Sequence, residues 1–387
     1  MSTPRDIDTR LAHPPQDRDP RTGASSCPIY QVSTYHQPDP EHLARYDYAR
    51  SDNPTREALE EAVANLEGGA RGLAFASGMA AVSTAFMIFG TGDHVVVGND
   101  IYGGTFRVLT TIFRRWGLNA TLVDTGDLEA VRAAITPQTK AIYVETPSNP
   151  TLRITDLAAV AALARERELL AITDNTFMSP LLQRPLELGF DIVVHSATKF
   201  IAGHSDLIAG LAVARDAETG RRLRQIQNSM GAILGPQDAW LTLRGLKTLG
   251  VRLRQEQRSA EILARWLAGQ PEVVRVYYPG LEDHPGHDIH RRQASGGGAV
   301  VSFELATREL AVGLMKGVRL PLVAVSLGGV ESILSYPATM SHAAMPAGER
   351  AARGITDGLL RLSVGLEDVA DLQADLRQAL DAAARPQ

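Results

Sequence analysis

A single cysteine, Cys27, occurs in the 387 residues, so no internal disulfide can form. That fits a reducing compartment, and Cys27 reads as a packed small residue, not a nucleophile. No uninterrupted apolar run approaches the roughly 20 residues that cross a bilayer. The amino-terminal stretch carries Arg5, Asp6, Asp8, Arg10 and several prolines but no apolar core of a signal peptide, so a cytoplasmic protein without a membrane partner is expected. A basic excess is also missing: the formal net charge is −5, which argues against nucleic acid as the main partner. No internal repeat or low-complexity tract is found. What is there is an ordinary globular composition, 44% hydrophobic and 21% charged, in a chain too long for one small core. Two packed domains with extensions are expected.

Residues 1–50 are rich in Pro, Asp, Arg and Thr and read as an extended arm lying on another subunit or on the main domain, with its first twenty residues disordered. From Thr55 a helical period appears, with Ala58, Leu59, Ala62, Val63 and Leu66 on one face and Gly68-Gly69 as the stop. Strand and helix then alternate. Strands are predicted at 72–76, 94–97, 120–123, 141–144, 169–173 and 192–194, with helices from Ser77 towards Phe89 and at 105–116, 128–135 and 157–167. Repeated β-α units of this length predict an α/β fold with a mostly parallel sheet and helices on both faces. After helices at 223–230, 240–249 and 260–267, strands at 273–277, 298–305, 322–325 and 359–364 mix with helices at 310–317 and 369–383. That change predicts a smaller α+β domain. The expected division is an arm at 1–50, a large domain at 51–245 and a C-terminal domain at 246–387.

Ligands of parallel sheets sit beyond the carboxyl ends of the strands. Those ends here are Ser77-Gly78-Met79, Asp100 to Gly104, Glu145 to Asn149, Asp174-Asn175-Thr176 and Ser196 to Lys199. Lys199 follows a β-branched strand at a polar rim, where desolvation and nearby cations make an amine nucleophilic enough for a Schiff base. The turn into the helix at Ser77 offers unpaired N–H groups and a dipole to a phosphate. Asp174 can keep a pyridine nitrogen protonated, and Tyr102 can stack on a planar ring. A lysine imine beside a phosphate cradle is what pyridoxal phosphate (PLP) requires. His284, His287 and His290 lack the partners of a metal site and read as a solvated loop, so no metal is expected. Arg252, Arg254, Arg258 and Arg265, interspersed with Glu256 and Glu261, read as a solvated or subunit-facing helix surface.

Further motifs carry a family likeness: Tyr48-Ala-Arg50 followed by Asn53-Pro-Thr55, Ser77-Gly-Met79, Tyr102-Gly-Gly104, Glu145-Thr-Pro-Ser-Asn149, Asp174-Asn-Thr176, Ser196-Ala-Thr-Lys199, Ser326-Leu-Gly-Gly-Val-Glu-Ser332 and Arg361-Leu-Ser-Val-Gly-Leu366. From about Tyr30 to Ala383 the chain resembles the Cys/Met-metabolism family of PLP enzymes, which includes cystathionine γ-synthase, cystathionine β- and γ-lyases and methionine γ-lyase. The resemblance implies a PLP-dependent transferase fold of the aspartate aminotransferase kind. It implies that Lys199 binds PLP covalently, Asp174 pairs with the pyridine nitrogen and Tyr102 stacks on the ring and assists proton transfer. Gly78, Met79, Ser196, Thr198 and Thr176 join the cofactor site, with Tyr48 and Arg50 donated by a neighbouring subunit. Asn149, Ser326 and Arg361 would hold a substrate carboxylate, Arg361 as a bidentate fork. A homotetramer built as a dimer of catalytic dimers follows from the same likeness.

Departures from the family pattern bear on the reaction. Ala49 and Asp52 replace residues common in relatives and leave the phosphate ligands intact. Val325 stands where γ-synthases and many γ-lyases place glutamate, and an apolar residue there favours a β-lyase-like or methionine-lyase-like pocket. Gly104 stands where methionine γ-lyases commonly carry cysteine, and Arg107 is available for a distal carboxylate. The reading is a carbon–sulfur lyase acting on the sulfur amino acid L-cystathionine by β-elimination. γ-Elimination, γ-replacement and a methionine γ-lyase are alternatives, and a non-catalytic regulatory protein of the same fold is a further one.

Overall fold

The structure is a computed structural model that describes residues 6–340 and 347–385. Helix α1 (Ile7–Ala12) begins where the Asp6 side chain accepts the Asp8 N–H, and it buries Leu11. Part of the stretch expected to be disordered is therefore held down, helped by an Asp8–Arg254 ion pair at 2.8 Å. The rest of the arm is irregular apart from a bridge between Thr34 and Tyr48. Helix α2 (Pro54–Glu67) starts on an Asn53 side chain that accepts the N–H groups of Thr55 and Arg56, and stops at Gly68 with φ of 77°. The stop at Gly68 is read from the sequence, and the cap at Asn53 is the kind of residue that opens helices.

The larger sheet contains β1 (Arg71–Phe75), β2 (His94–Gly98), β3 (Asn119–Val123), β4 (Thr139–Glu145), β5 (Leu170–Asp174), β6 (Ile192–Ser196) and β7 (Gly210–Ala214) in the order β1-β7-β6-β5-β4-β2-β3. Neighbours pair in parallel except that β7 runs against both β6 and β1. Strands such as Val95–Val97 and Ile192–Val194 are fully buried, as expected when helices cover both faces. Between these strands lie α3 (Gly78–Phe86), α4 (Gly103–Arg107), α5 (Leu128–Ala133), α6 (Leu157–Glu166) and α7 (Ser179–Leu182), and after β7 come α8 (Ala217–Met230) and α9 (Pro236–Leu246). The helix predicted over 105–116 is not continuous. After α4 the chain widens into a π-helical turn (Val108–Ile112) and tightens into a 3₁₀ turn (Phe113–Trp116). The hydroxyls of Thr110 and Thr111 bond back to the carbonyls of Phe106 and Arg107, a competition that weakens a regular helix.

Helix α10 (Leu249–Ala268) leads to the smaller sheet of β8 (Val273–Tyr277), β9 (Val300–Leu305), β10 (Leu322–Val323), β11 (Ile333–Ser335) and β12 (Leu359–Ser363), ordered β10-β11-β12-β9-β8. Only the β10–β11 pair is parallel. Helices α11 (His287–Gln293), α12 (Arg308–Gly317), α13 (Ala347–Ala352) and α14 (Val369–Ala383) complete the chain. The separate helices expected at 240–249 and 260–267 are broken at Thr248 instead, and α10 runs unbroken through the charged stretch. It puts Leu249 and Leu253 into the core beneath the larger sheet and Ala260, Leu263, Ala264 and Leu267 into that of the smaller one.

Two surface expectations are corrected here. Arg252 is 4% exposed and Glu256 is fully buried, because α10 crosses between two layers and has no single solvent face at that point. His284 and His290 are also buried, and His284, His287 and His290 are turned to three separate carbonyls, those of Leu152, Gly296 and Pro279 for His284, His290 and His287 respectively. They fasten a loop. Among the described residues no helix is long and apolar enough to cross a membrane.

Candidate active site

The carboxyl ends of β4, β5 and β6 and the start of α3 form one wall of a cavity of about 780 Å³, and Ser335 and Arg361 of the smaller sheet with the loop between β10 and β11 form the other. Ser77 caps α3 by accepting the Ala80 N–H. The N–H groups of Gly78 and Met79 have no hydrogen-bond partner among the described residues, so two donors of a helix amino terminus face the cavity. Gly78 permits this closeness: a Cβ there would stand 2.8 Å from Cβ of Ser196. The Ser196 side chain borders the same cradle, while the Thr198 hydroxyl is engaged with the backbone N–H and carbonyl of Ala209.

Lys199 Nζ donates to Ser326 Oγ at 2.6 Å. Burial, with the Arg361 guanidinium nearby, pulls the lysine pKa down to about 8 against an opposing pull from Asp174. Ser326 reaches it from a left-handed backbone, φ 85°, a conformation that costs a non-glycine residue energy and recurs at functional sites. Asp174 ends β5, and its carboxylate accepts the Thr176 N–H at 2.9 Å. In the β4–β5 register it stands opposite Glu145. Burial raises both carboxyls, but the Thr176 bonds and the nearby Lys199 amine favour the anion at Asp174. Glu145, beside that charge, is held well above the usual carboxylate range and is the protonated member of the pair.

Arg361 on β12 is almost wholly buried. Its Nη1 donates to Asn149 Oδ1 at 2.7 Å, and its Nη2 to the Ser326 carbonyl at 2.6 Å and to Ser335 Oγ at 3.2 Å. Burial lowers its pKa to about 10, so it stays charged near neutrality. Tyr102, 43% exposed, is fixed by its backbone N–H, which donates to Glu145 at 2.8 Å. Gly104 lies under its ring: a Cβ there would be 2.5 Å from Tyr102 Cε1 and 2.8 Å from Met79 Sδ. Arg107 and Val325 both line the cavity. Val325 is 62% exposed, and the Arg107 guanidinium has no ion pair among the described residues.

The cavity thus gathers Gly78, Met79, Tyr102, Arg107, Asn149, Asp174, Thr176, Ser196, Thr198, Lys199, Val325, Ser326 and Arg361. Tyr48 and Arg50 do not line it; Arg50 instead packs on the Tyr48 ring and donates to Asn228. Sequence reasoning gave no role to Glu145 or Ser335. The position of Glu145 at a strand end opposite Asp174 was a usable signal, whereas Ser335 depends on the β11–β12 register, which places it opposite Arg361.

Free helix-terminal donors in a cradle that a Cβ would fill, a depressed lysine amine and a buried anionic carboxylate suit, in turn, the phosphate, aldehyde and ring nitrogen of PLP. Fold and site together define a PLP-dependent enzyme built on a mostly parallel sheet. The chain belongs to the Cys/Met metabolism PLP-dependent enzyme family, whose sequence profile matches residues 8–381. It is 58% identical over 374 residues to the cystathionine beta-lyase MetC of Bacillus subtilis (strain 168), covering 97% of this chain and 96% of the relative. It is 49% identical to the cystathionine gamma-lyase of the same organism, over 96% of this chain and 98% of that one. The crystal structure of cystathionine gamma-lyase from Lactobacillus plantarum complexed with L-serine superposes with a TM-score of 0.96 at 46% identity, covering 98% of this chain and 99% of the other.

Proposed function

We propose that the protein is a carbon–sulfur lyase that cleaves L-cystathionine by β-elimination to homocysteine, pyruvate and ammonia. The observation that carries this choice is the apolar Val325 at the rim of a cavity that also holds Arg107, a cation free to meet a distal carboxylate. The cystathionine beta-lyase MetC relative, at 58% identity, supports the same reading.

PLP, when bound, supplies an electron sink that stabilises negative charge at the substrate Cα. The Gly78 and Met79 N–H groups, with Ser196 and Thr198, would hold its phosphate, Asp174 would hold the ring nitrogen proton, and Tyr102 would cover the ring. Arg361, steadied by Asn149 and the Ser326 carbonyl, receives the α-carboxylate. Lys199, with a pKa near 8, takes the Cα proton, a role that needs the neutral amine. The electron pair left at Cα becomes a Cα–Cβ double bond as the Cβ–S bond breaks with its pair on sulfur. Tyr102 at the rim is placed to pass a proton to the departing homocysteine, and one solvent water hydrolyses the remaining enamine to pyruvate and ammonia.

Elimination at Cγ uses the same Lys199 for a second proton, and the gamma-lyase relative at 49% identity keeps that alternative in view, as do γ-replacement and methionine γ-lysis. Gly104 speaks against the last. A purely regulatory protein of this fold would not need Lys199, Asp174 and Arg361 together. Tyr48 and Arg50, standing outside the cavity of their own chain, are assigned to the phosphate site of a neighbouring copy within a homotetramer in the cytoplasm. The two separate sheets support the division into an arm at 1–50, a PLP-binding domain at 51–245 and a C-terminal domain at 246–387; the smaller sheet has a core of its own around Val301, Phe303 and Leu360, while its Tyr277, Val300 and Leu359 join the core of the larger one.

The test is to supply cystathionine and identify the products. Pyruvate with homocysteine supports the proposal, and 2-oxobutyrate with cysteine overturns it. Val325→Glu should move the products towards the second pair; an unchanged product ratio would remove Val325 from the argument.

A further inference from the structure

Arg252 lies outside the cavity, yet its bonds converge on the turn that carries the reactive lysine. Nη1 donates to the carbonyl of Phe200 at 2.9 Å, and Nη2 to those of Ile201 at 3.4 Å and Gly245 at 2.9 Å, while Nε donates to Thr248 Oγ1 at 3.1 Å. Phe200 and Ile201 directly follow Lys199. The turn closes on itself, with the Gly203 N–H donating to the Lys199 carbonyl at 2.8 Å and that of Ala202 to Ala197 at 2.9 Å. Gly203, at φ 74°, has no side chain because the Arg252 guanidinium occupies the space where a Cβ would stand. A buried guanidinium is tolerated only when its donors are satisfied, and here nearly all of that satisfaction comes from one short loop and the end of α9.

The opposite side of the turn is held by the smaller sheet's approach. Gly328, at φ 77°, would place a Cβ 2.6 Å from the Phe200 nitrogen and 2.9 Å from the Lys199 carbonyl carbon. Its N–H donates to Ser363 Oγ at 2.8 Å, and two residues earlier Ser326 accepts from Lys199 Nζ. Lys199 is therefore clasped between α10 and the 326–328 loop.

We propose that Arg252 is a positioning residue of the reaction: by joining the carbonyls of Phe200, Ile201 and Gly245 it fixes the turn that sets Lys199 Nζ against Ser326 and Arg361. The inference rests on the reading of Lys199 as the proton-carrying amine. Charged groups facing the lysine are Arg361 from β12 and Asp174 from β5; Arg252 itself faces Glu256 on its own helix, a buried carboxyl that Glu367 also influences. If the turn loosens, the lysine nitrogen draws away from Arg361 and towards water. Both changes favour its protonated form.

The test uses the PLP-loaded protein with Arg252→Met, Arg252→Lys and Gly203→Ala. Gly203→Ala retains every charge, pushes the guanidinium from its seat and strains the same turn at φ 74°, whereas Arg252→Met leaves the turn's own backbone unaltered. The readout is the pH midpoint of the absorbance of lysine-bound cofactor, with kcat and KM for cystathionine measured alongside. Arg252→Met and Gly203→Ala should each raise the midpoint by about one pH unit and lower kcat with KM little changed, and Arg252→Lys should recover part of the shift. Midpoints within about 0.2 unit of the wild type in folded Arg252→Met and Gly203→Ala proteins, with only a lower melting temperature, would overturn the proposal and leave Arg252 a stabilising residue. A shifted midpoint in a protein that releases no pyruvate from cystathionine would uphold the positioning role while sinking the assigned reaction.

Discussion

Arg361 on β12 and Asn149 after β4 are joined at 2.7 Å, and this bond ties a strand of the smaller sheet to a strand end of the larger one. The guanidinium is held by three acceptors before any substrate arrives, so its orientation costs little at the moment of binding. Lysine could supply the charge but not the fork. Arg361→Lys is expected to lower kcat/KM for cystathionine roughly 10- to 100-fold, the equivalent of losing one charge-assisted hydrogen bond of about 1.5–3 kcal/mol. Ser335→Ala, which removes the longer bond, should cost less than about tenfold. Steady-state kinetics on both variants check the ordering, and a larger loss in Ser335→Ala would contradict it.

The Lys199 amine gives two pH dependences. Its folded pKa of about 8 lies below its ordinary 10.5, so the folded state binds this proton less well than the unfolded chain. Below about pH 8 both states are protonated and the burial penalty is complete; it is relieved as pH rises from 8 to 10.5, and above that both states are neutral. In cofactor-free protein, the stability of the wild type relative to Lys199→Met should therefore rise by roughly 3 kcal/mol between pH 7 and pH 10.5. Denaturant melts across that range measure it. In the loaded enzyme, the need for a neutral amine at Cα predicts a rate that climbs with pH before levelling.

Gly104 is required by the ring of Tyr102. A Cβ at position 104 meets Tyr102 Cε1 at 2.5 Å and Met79 Sδ at 2.8 Å, so Gly104→Cys must displace one or both. Displacement of this kind costs about 1–3 kcal/mol, and here it falls on residues proposed to cover or cradle PLP. PLP affinity should drop roughly 5- to 100-fold, measurable by absorbance titration. An unaltered affinity would show that the ring is free to move aside without consequence.

Because Tyr48 and Arg50 stand outside the cavity of their own chain, two defective proteins should repair each other. Arg50→Ala and Lys199→Ala are each expected to be nearly inactive. Refolded together in equal amounts, they should regain about a quarter of wild-type activity, since half of the pairs are mixed and each mixed pair has one intact site. Absence of any recovery would count against sharing between copies.

Much of this was legible from local sequence. The Gly68 stop of α2, the strand-to-helix turn at Ser77 and the apolar runs ending at Asp174 and Ser196 are set by neighbours in the chain, and they place one wall of the cavity. Arg252 was misread because its surroundings are built from Phe200, Ile201 and Gly245, and because a charged helical stretch ordinarily signals solvent. Ser335 escaped notice for a similar reason, since its importance depends on its partner in register, Arg361. The break in the helix after Arg107 lay in a Thr110-Thr111 pair whose competing hydrogen bonds have no apolar signature.

The single reversed strand, β7, bears on where this chain can change length. Each link between β1 and β6 travels through helical turns before the next strand, so residues added there need not move a strand. The link from β6 to β7, residues 197–209, is a bight with both feet pinned in a five-residue antiparallel register from Ile192↔Ala214 to Ser196↔Gly210. An extra residue in its half-buried to buried part, 197–203, would shift the amine of Lys199, whereas Ser205, Asp206 and Ile208 are exposed. Inheritance of length should therefore be strict from 197 to 203 and permissive in the helical links around it.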